Sequence, residues 1–570
     1  MTLARLARSA GGEQSAPLLE AEAGLERGAS AMQAFSRPEV AEPVEQQERS
    51  RSFIAIRSPN QALEKAPSWL LAGFTLIAVT LFTSRLLIAS YRNGFFVGDD
   101  FISLAMSRGM PLGKYFLEPL NEHIVPLHRV VMYLTDAIKS LHFGLALLVL
   151  YGFHALGVVY LYRVLLLIEG LPDARAVDDE RSALRFSSGQ WLLSAPSSWF
   201  LFAAYCSNVY LCGIYSWWTA GLHRLPYIAF SIMALFYFLR YREERRKRLL
   251  VACALCMPAA LGFFTKGVLI PIYLLGIEVC LWTITARRDS FRNLRVIAGF
   301  GLATAAFLVL WHYVEPPHFQ AVNKNVAFQL DFLQVSWLVL RDSTAGRIHA
   351  DGPDLLALSF VLWVAAITHT VGRRRSTIVV WTSLALLLAL NVFLTSASKL
   401  RTQAYGTVLA ISSYRYYYEL LFPIIVFVAL AFRMARMGPA ALAAGASPLP
   451  QGAQNVRWLP ALCCMALSVA VMVNGYANCT KVLEKRGGPK AQAFVARAKK
   501  EVERVRSEEP GPIRFVDSWA PDGVGCTLGM FLAIMKVDAK GAEPGLRAYQ
   551  WLPSGHLVPA TPAPKKSPSS

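Results

Sequence analysis

Apolar residues along this chain gather into long unbroken runs, unlike the alternating or one-faced patterns of a water-soluble fold. A helix needs about 20 largely apolar residues to cross a bilayer. Runs of that kind lie at 68–91, 142–167, 190–207, 225–241, 249–264, 267–286, 295–313, 354–371, 377–396, 418–434 and 457–475. They predict an all-α polytopic transmembrane helical bundle of roughly eleven spans. Basic clusters fall at alternate gaps: Arg242, Arg245, Arg246, Lys247 and Arg248; then Arg287, Arg288, Arg292 and Arg295; then Arg373, Arg374 and Arg375; then Arg433 and Arg436. Short loops rich in Lys and Arg stay cytoplasmic. The pattern therefore places the N-terminus inside and the C-terminus outside, with loops 92–141, 314–353 and 397–417 facing outward.

The ends are different material. Residues 1–67 are rich in Ala, Glu, Gln, Ser and Arg and read as a disordered cytoplasmic tail ahead of the membrane domain at 68–475. The first long apolar run begins at Ser68 and is too long for the core of a cleavable signal peptide. Residues 476–553 read as a small extracytoplasmic α/β module, with a helix over Ala491–Ser507 and a strand over Ile513–Asp517. Residues 554–570, rich in Pro, Ser and Lys, read as a second disordered tail.

Composition sharpens the class. Of the 570 residues 54% are hydrophobic and only 17% charged, against roughly 25% charged in a soluble domain. That excludes an ordinary soluble enzyme, a disordered protein and a disulfide-built secreted domain. The net charge of +19 would suit nucleic acid, but much of it sits in Arg clusters between spans, so no nucleic-acid partner is expected. Cys253 and Cys256 have CxxC spacing inside an apolar span, with no second pair or His nearby, and read as packed small residues. Cys479 and Cys526 both fall on the oxidising side, which would allow a disulfide. The chain has no Walker A sequence, no GxGxxG after a strand and no HExxH.

Chemistry concentrates in the first outward loop. Phe96-Val97-Gly98-Asp99-Asp100-Phe101 is followed by Asn121-Glu122-His123-Ile124-Val125-Pro126-Leu127-His128-Arg129. Two adjacent carboxylates beside a span are expensive unless they face water, a metal or a partner. Their bland reading is the cap of a helix starting at Phe101. Glu118, His128 and Arg129 share the loop, whose amphipathic pieces suit the membrane surface. His223 and Arg224 stand at the outer start of the fourth span. Lys266 interrupts the apolar Leu261–Val268 stretch, and its bland reading is a snorkelling lysine. Tyr414-Arg415-Tyr416-Tyr417-Tyr418-Glu419 opens the tenth span, where tyrosines form interfacial belts. Outward acids and cations around one cavity match a base that deprotonates a hydroxyl and cations that hold a phosphate leaving group.

In this order the features resemble the GT-C superfamily of polytopic glycosyltransferases, which use polyprenyl- or dolichyl-phosphate sugars. The likeness rests on Asp99 and Asp100 in the first outward loop, on two surface helices there, and on a later outward lysine. Phe264-Thr265-Lys266-Gly267 resembles the Lys-Glu hairpin of several bacterial members, with Gly267 in place of the acid. Tyr414-Arg415-Tyr416-Tyr417 is similar to the Arg-Tyr-rich start of a late span. The resemblance covers roughly 68–475 and implies an inverting transfer in the cytoplasmic (inner) membrane from a polyprenyl-phosphate-linked sugar to a lipid-linked glycan, polymer or protein. Asp99 is then the favoured base and Asp100 its alternate. Lys266, Arg224 and Arg415 are the phosphate candidates, while Glu122, His123, Arg129 and His223 contact substrate. Mg²⁺ or Mn²⁺ would suit Asp99, Asp100 and Glu122 together with a phosphate. Competing readings are a lipid-linked sugar transporter or flippase, an O-antigen-type polymerase or ligase, and a non-catalytic envelope assembly protein.

Overall fold

Each of the expected apolar runs carries a helix. The computed structural model describes residues 66–119, 123–171, 192–193, 195–283, 287–314, 325–344, 354–373, 376–396, 417–436, 458–485, 488–509, 511–520, 524, 526–541 and 547–560. Among these residues seven helices are long and apolar enough to cross a membrane: Trp69–Asn93, Phe143–Glu169, Trp218–Glu244, Thr265–Trp282, Ser290–Tyr313, Ser376–Ser396 and Tyr418–Ala435. The body is that of an integral membrane protein. Further helices cover Lys247–Phe263, Asp354–Arg373 and Trp458–Lys485.

Two regions differ from the sequence expectation. The run at 190–207 is helical over only Pro196–Cys206, followed by a buried turn of helix at Leu211–Tyr215. Eleven residues rise only about 16 Å, roughly half of a bilayer's hydrocarbon. The expected outward loop 314–353 contains a 19-residue helix, Val326–Thr344. Gln329, Asp331 and Gln334 break its hydropathy, while Phe332, Ser336, Val339 and Leu340 bury one side of it.

Trp218–Glu244 is the central helix. It is buried on nearly every side at its first half and packs against both Phe143–Glu169 and Lys247–Phe263. Ser290–Tyr313 is its opposite, almost wholly exposed, with Leu302, Val309 and Leu310 turned outward as a lipid-facing helix requires. The central helix also separates two polar clusters. Thr219 and His223 stand at its start, whereas Arg242 stands near its end, about 35 Å away along the axis.

At that far end Arg242 Nε meets Glu278 Oε2 at 3.1 Å. Asn293 Nδ2 donates to Glu278 Oε1 at 3.2 Å, and Arg245 Nη1 to Asn293 Oδ1 at 2.6 Å. The basic gaps after the fourth and sixth spans thus share one end of the bundle.

The C-terminal module begins with Gly488–Glu508, whose Ala491, Phe494, Val495, Ala498, Val502 and Val505 form one buried stripe. The stripe covers a four-stranded sheet of order β2-β1-β3-β4, made of Ile513–Phe515 (β1), Ala539–Gly541 (β2), Tyr549–Trp551 (β3) and Leu557–Pro559 (β4). β1 runs parallel to β2 and β3, while β3 and β4 are antiparallel. Phe494 packs edge-on against Trp551, ring centroids 5.0 Å apart. Strand β4 extends ordered chain past residue 553, because Leu557 buries its side chain on this core; the expected tail at 554–570 therefore starts too early. Cys479 and Cys526 are both free, so the disulfide that the sequence allowed is absent. Cys479 Sγ donates instead to Val209 O at 3.3 Å within the bundle, and Cys526 is buried in the module core, its thiol pushed up to about 12 by that burial.

Removing one member of a buried ion pair leaves the other charge uncompensated. Glu278→Ala should therefore lower stability by about 3–5 kcal/mol, whereas Arg242→Met with Glu278→Met should lose far less. Thermal unfolding in a fixed detergent, at one scan rate, compares the two.

Candidate functional site

The chain leaves its first span through Asn93 and turns at Gly98, whose φ of +29° is disfavoured for residues with a Cβ. Gly98 N–H donates to Val524 O of the C-terminal module at 3.2 Å, so the module seats directly on the acidic loop. The next helix, Asp99–Gly109, starts at the acid pair. The two acids then take different roles. Asp100 is fully buried. Its Oδ2 accepts from Val97 N–H at 2.9 Å, and its Oδ1 accepts from Thr219 N–H at 2.7 Å and also from the Thr219 hydroxyl. Burial outweighs these three bonds and raises its carboxyl from the ordinary 3.8 to about 7. Asp99 is half-buried beside it. Asp100 holds the loop to the central helix, and Asp99 is the acid left nearer the surface.

The loop's second half lands on the same helix ends. His123 Nδ1 lies 2.8 Å from Thr265 Oγ1. His128 stacks on His223 with centroids 4.2 Å apart. Burial, with the adjacent Arg129 charge, lowers the His128 pKa to about 3, so its imidazole is neutral. Phe264 gathers the rest. His123 and His223 lie 5.1 and 5.7 Å from its ring, Arg224 5.5 Å and Lys266 5.9 Å. Arg129 is wholly buried, faces the Tyr115 ring at 5.0 Å, and sends Nη2 to Pro119 O at 3.3 Å. Its Nε and Nη1 have no hydrogen-bond partner among the described residues.

Lys266 is the most fully engaged cation. Its Nζ donates to Asn391 Oδ1 at 2.9 Å, to Thr395 Oγ1 at 2.8 Å, and to Glu419 Oε1 in a buried ion pair. Gly267 explains why the acid comes from so far along the chain. A Cβ there would lie 2.8 Å from the Leu261 backbone nitrogen, because the turn Thr265–Leu269 folds back on that residue. A side chain at 267 would press on that backbone, and Glu419 supplies the carboxylate from the start of a later span.

Of the residues singled out by sequence, Asp100, His123, His223, Arg224 and Lys266 thus gather at one end of the bundle, with Asp99 and Arg129 on the same loop. Glu122 and Arg415 lie outside the described residues. Thr219, Phe264, Asn391, Thr395 and Glu419 are additional members. Glu419 carried a readable signal, since an acid at a span's edge needs a partner, but pairing it with Lys266 requires knowing which helices adjoin. Among the described residues no group of three or more His, Cys, Asp or Glu is arranged to hold a metal ion. Within the expected set of Asp99, Asp100 and Glu122, both Asp100 oxygens are committed to donors.

Arg108 of the helix Asp99–Gly109 and the buried Asp136 of the helix Pro126–Ile138 hold these two helices together. With the short helix Leu112–Leu117 between them they expose Leu117, Leu134 and Ile138, an apolar rim suited to the membrane surface.

No family model and no curated protein matches the chain. Among solved structures it is similar to ArnT from Cupriavidus metallidurans bound to undecaprenyl phosphate, at 12% identity, over 83% of this chain and 86% of that one, with a TM-score of 0.43. The same protein in the apo state aligns over the same shares at 13% identity and a TM-score of 0.44.

Asp100 and His128 oppose each other in pH. A carboxyl raised on folding contributes stability that is present below about 4 and lost as pH rises through about 7. A histidine lowered on folding contributes stability that is present above about 6.5 and lost as pH falls towards 3. Asp100→Asn removes the first contribution alone. Its thermal midpoint should fall more steeply than that of the wild type as pH drops from 6.5 to 4; parallel profiles would contradict the assignment.

Proposed function

We propose that this chain is a GT-C-type glycosyltransferase of the cytoplasmic membrane, with its N-terminus inside and its active site outside. It moves one sugar from a polyprenyl-phosphate donor to an extracytoplasmic lipid-linked glycan, polymer or protein. The observation that carries the reading is the Asp100–Thr219 clamp. It ties the helix that begins with the half-buried Asp99 to Thr219, one helical turn before His223 and Arg224 on the central helix; Arg224 and Lys266 both lie by the Phe264 ring.

The chemistry follows from that placement. Asp99 takes the proton of the acceptor hydroxyl as its oxygen forms a bond to the anomeric carbon. The bond from that carbon to the phosphate oxygen breaks on the opposite face, so configuration inverts and the polyprenyl phosphate leaves with the electron pair. Arg224 and Lys266, 5.5 and 5.9 Å from the Phe264 ring, balance the charge of the leaving phosphate. Lys266 keeps Asn391 and Thr395 as neutral partners, so exchanging Glu419 for a phosphate oxygen preserves its three bonds and one anionic contact. Arg129, buried with two N–H groups unpartnered among the described residues, is a third cation for substrate on the loop itself.

The test is transfer of label by purified protein in lipid, from a panel of radiolabelled polyprenyl-phosphate sugars to an extracted envelope acceptor pool. Asp99→Asn should reduce transfer by at least about a hundredfold with an unchanged thermal midpoint. Full transfer by that variant, or intact donor crossing the bilayer without bond cleavage, would overturn the reading.

A further inference from the structure

The transfer chemistry makes no use of His154, a buried histidine in the helix Phe143–Glu169. It lies about 17 Å along the axis from Phe143, well inside the span. Ionisable side chains at such depth are costly and usually serve function. Its two ring nitrogens join elements distant in sequence. Nδ1 is hydrogen-bonded to the Tyr215 hydroxyl, and Nε2 lies 3.1 Å from the Tyr418 hydroxyl. Both tyrosines are wholly buried. Resting on the glycosyltransferase reading, we propose that His154 is a positioning residue. By holding Tyr215 and Tyr418 at once, it sets the base half of the site against the phosphate half.

The first arm reaches the base half. Tyr215 ends the short helix Leu211–Tyr215, and Thr219, which clamps Asp100, stands one turn later at the start of the central helix. Packing between them is tight. A Cβ on Gly221 would lie 2.6 Å from Ile214 O and 2.7 Å from Leu150 Cδ1. Leu150 is one turn before His154, so the short helix, the central helix and the His154 helix meet there without slack. A shift of Tyr215 is therefore carried to Thr219 and the acidic loop.

The second arm reaches the phosphate half. Tyr418 opens the helix Tyr418–Arg436 beside Glu419, the carboxylate that pairs with Lys266. Tyr205 packs around the junction, its ring 5.5 Å from Tyr418 and 5.9 Å from His154.

Histidine suits this place because its rigid ring presents two nitrogens in different directions. A neutral imidazole donates from one and accepts at the other, so one side chain serves both hydroxyls. Removing it frees one half of the site from the other without deleting any group that touches substrate. A misplacement of about 1 Å between reacting groups costs on the order of a hundredfold in rate. Each half keeps its own binding groups, so the loss falls on turnover and not on donor affinity.

Tyr215→Phe and Tyr418→Phe break the arms one at a time and keep the rings. Rates of label transfer are measured on full-length protein in nanodiscs, per mole of folded protein, across a range of donor concentrations. Each single variant should lose about tenfold or more in kcat, with donor KM within about twofold of the wild type. The double variant should lose at most about twofold beyond the weaker single, because a link broken at one end is already broken. His154→Leu should match the double variant; the tyrosine variants preserve the test if it does not fold. Three outcomes would overturn the positioning role: single variants with wild-type kcat, a change confined to donor KM, or losses that multiply in the double variant as independent packing contacts do. A wild type that transfers no sugar from any donor would overturn the glycosyltransferase reading itself.

Discussion

The site depends on one carboxylate being given up to structure. Asp100 is wholly buried, and its oxygens take two N–H donors and a hydroxyl from Val97 and Thr219. Those bonds tie a loop between spans to the first turn of the central helix, one of the two most buried spans among the described residues. Every other placement at this end follows from that tie. Once Thr219 is fixed against the loop, His223 and Arg224 come one turn further along, and His128 stacks onto His223. A buried charge is poor stabilisation for its own sake; here its geometry sets the position of its neighbour, Asp99.

The same logic governs Lys266. A lysine in an apolar stretch must find a partner or lose its charge. The tight turn leaves no room for a Cβ at Gly267, and the partner comes from a span some 150 residues later, with Asn391 and Thr395 completing the set of acceptors. This one ammonium links the turn at Thr265–Leu269 to two late helices. The C-terminal module contributes to the same end of the molecule, since Val524 holds Gly98 immediately before the acids.

The apolar runs and the alternation of basic gaps were legible in the chain because each is a local property of about 20 residues. Every expected run carries a helix, and Arg242, Arg245 and Asn293 meet at one end. Amphipathic structure was harder to see. Val326–Thr344 escaped notice because Gln329, Asp331 and Gln334 interrupt its hydropathy, and strand β4 because three residues carry almost no periodic signal.

Sequence by itself determined that this is a polytopic membrane protein with acids and a histidine-rich segment in one early loop, and a lone lysine in a later one. It could not rank Asp99 against Asp100, because adjacent identical side chains differ only in what surrounds them. Tertiary structure separates their surroundings, burying Asp100 against Thr219 and leaving Asp99 half-buried. It alone brought Glu419 to Lys266, since contacts between helices depend on which faces adjoin, and no local pattern encodes that.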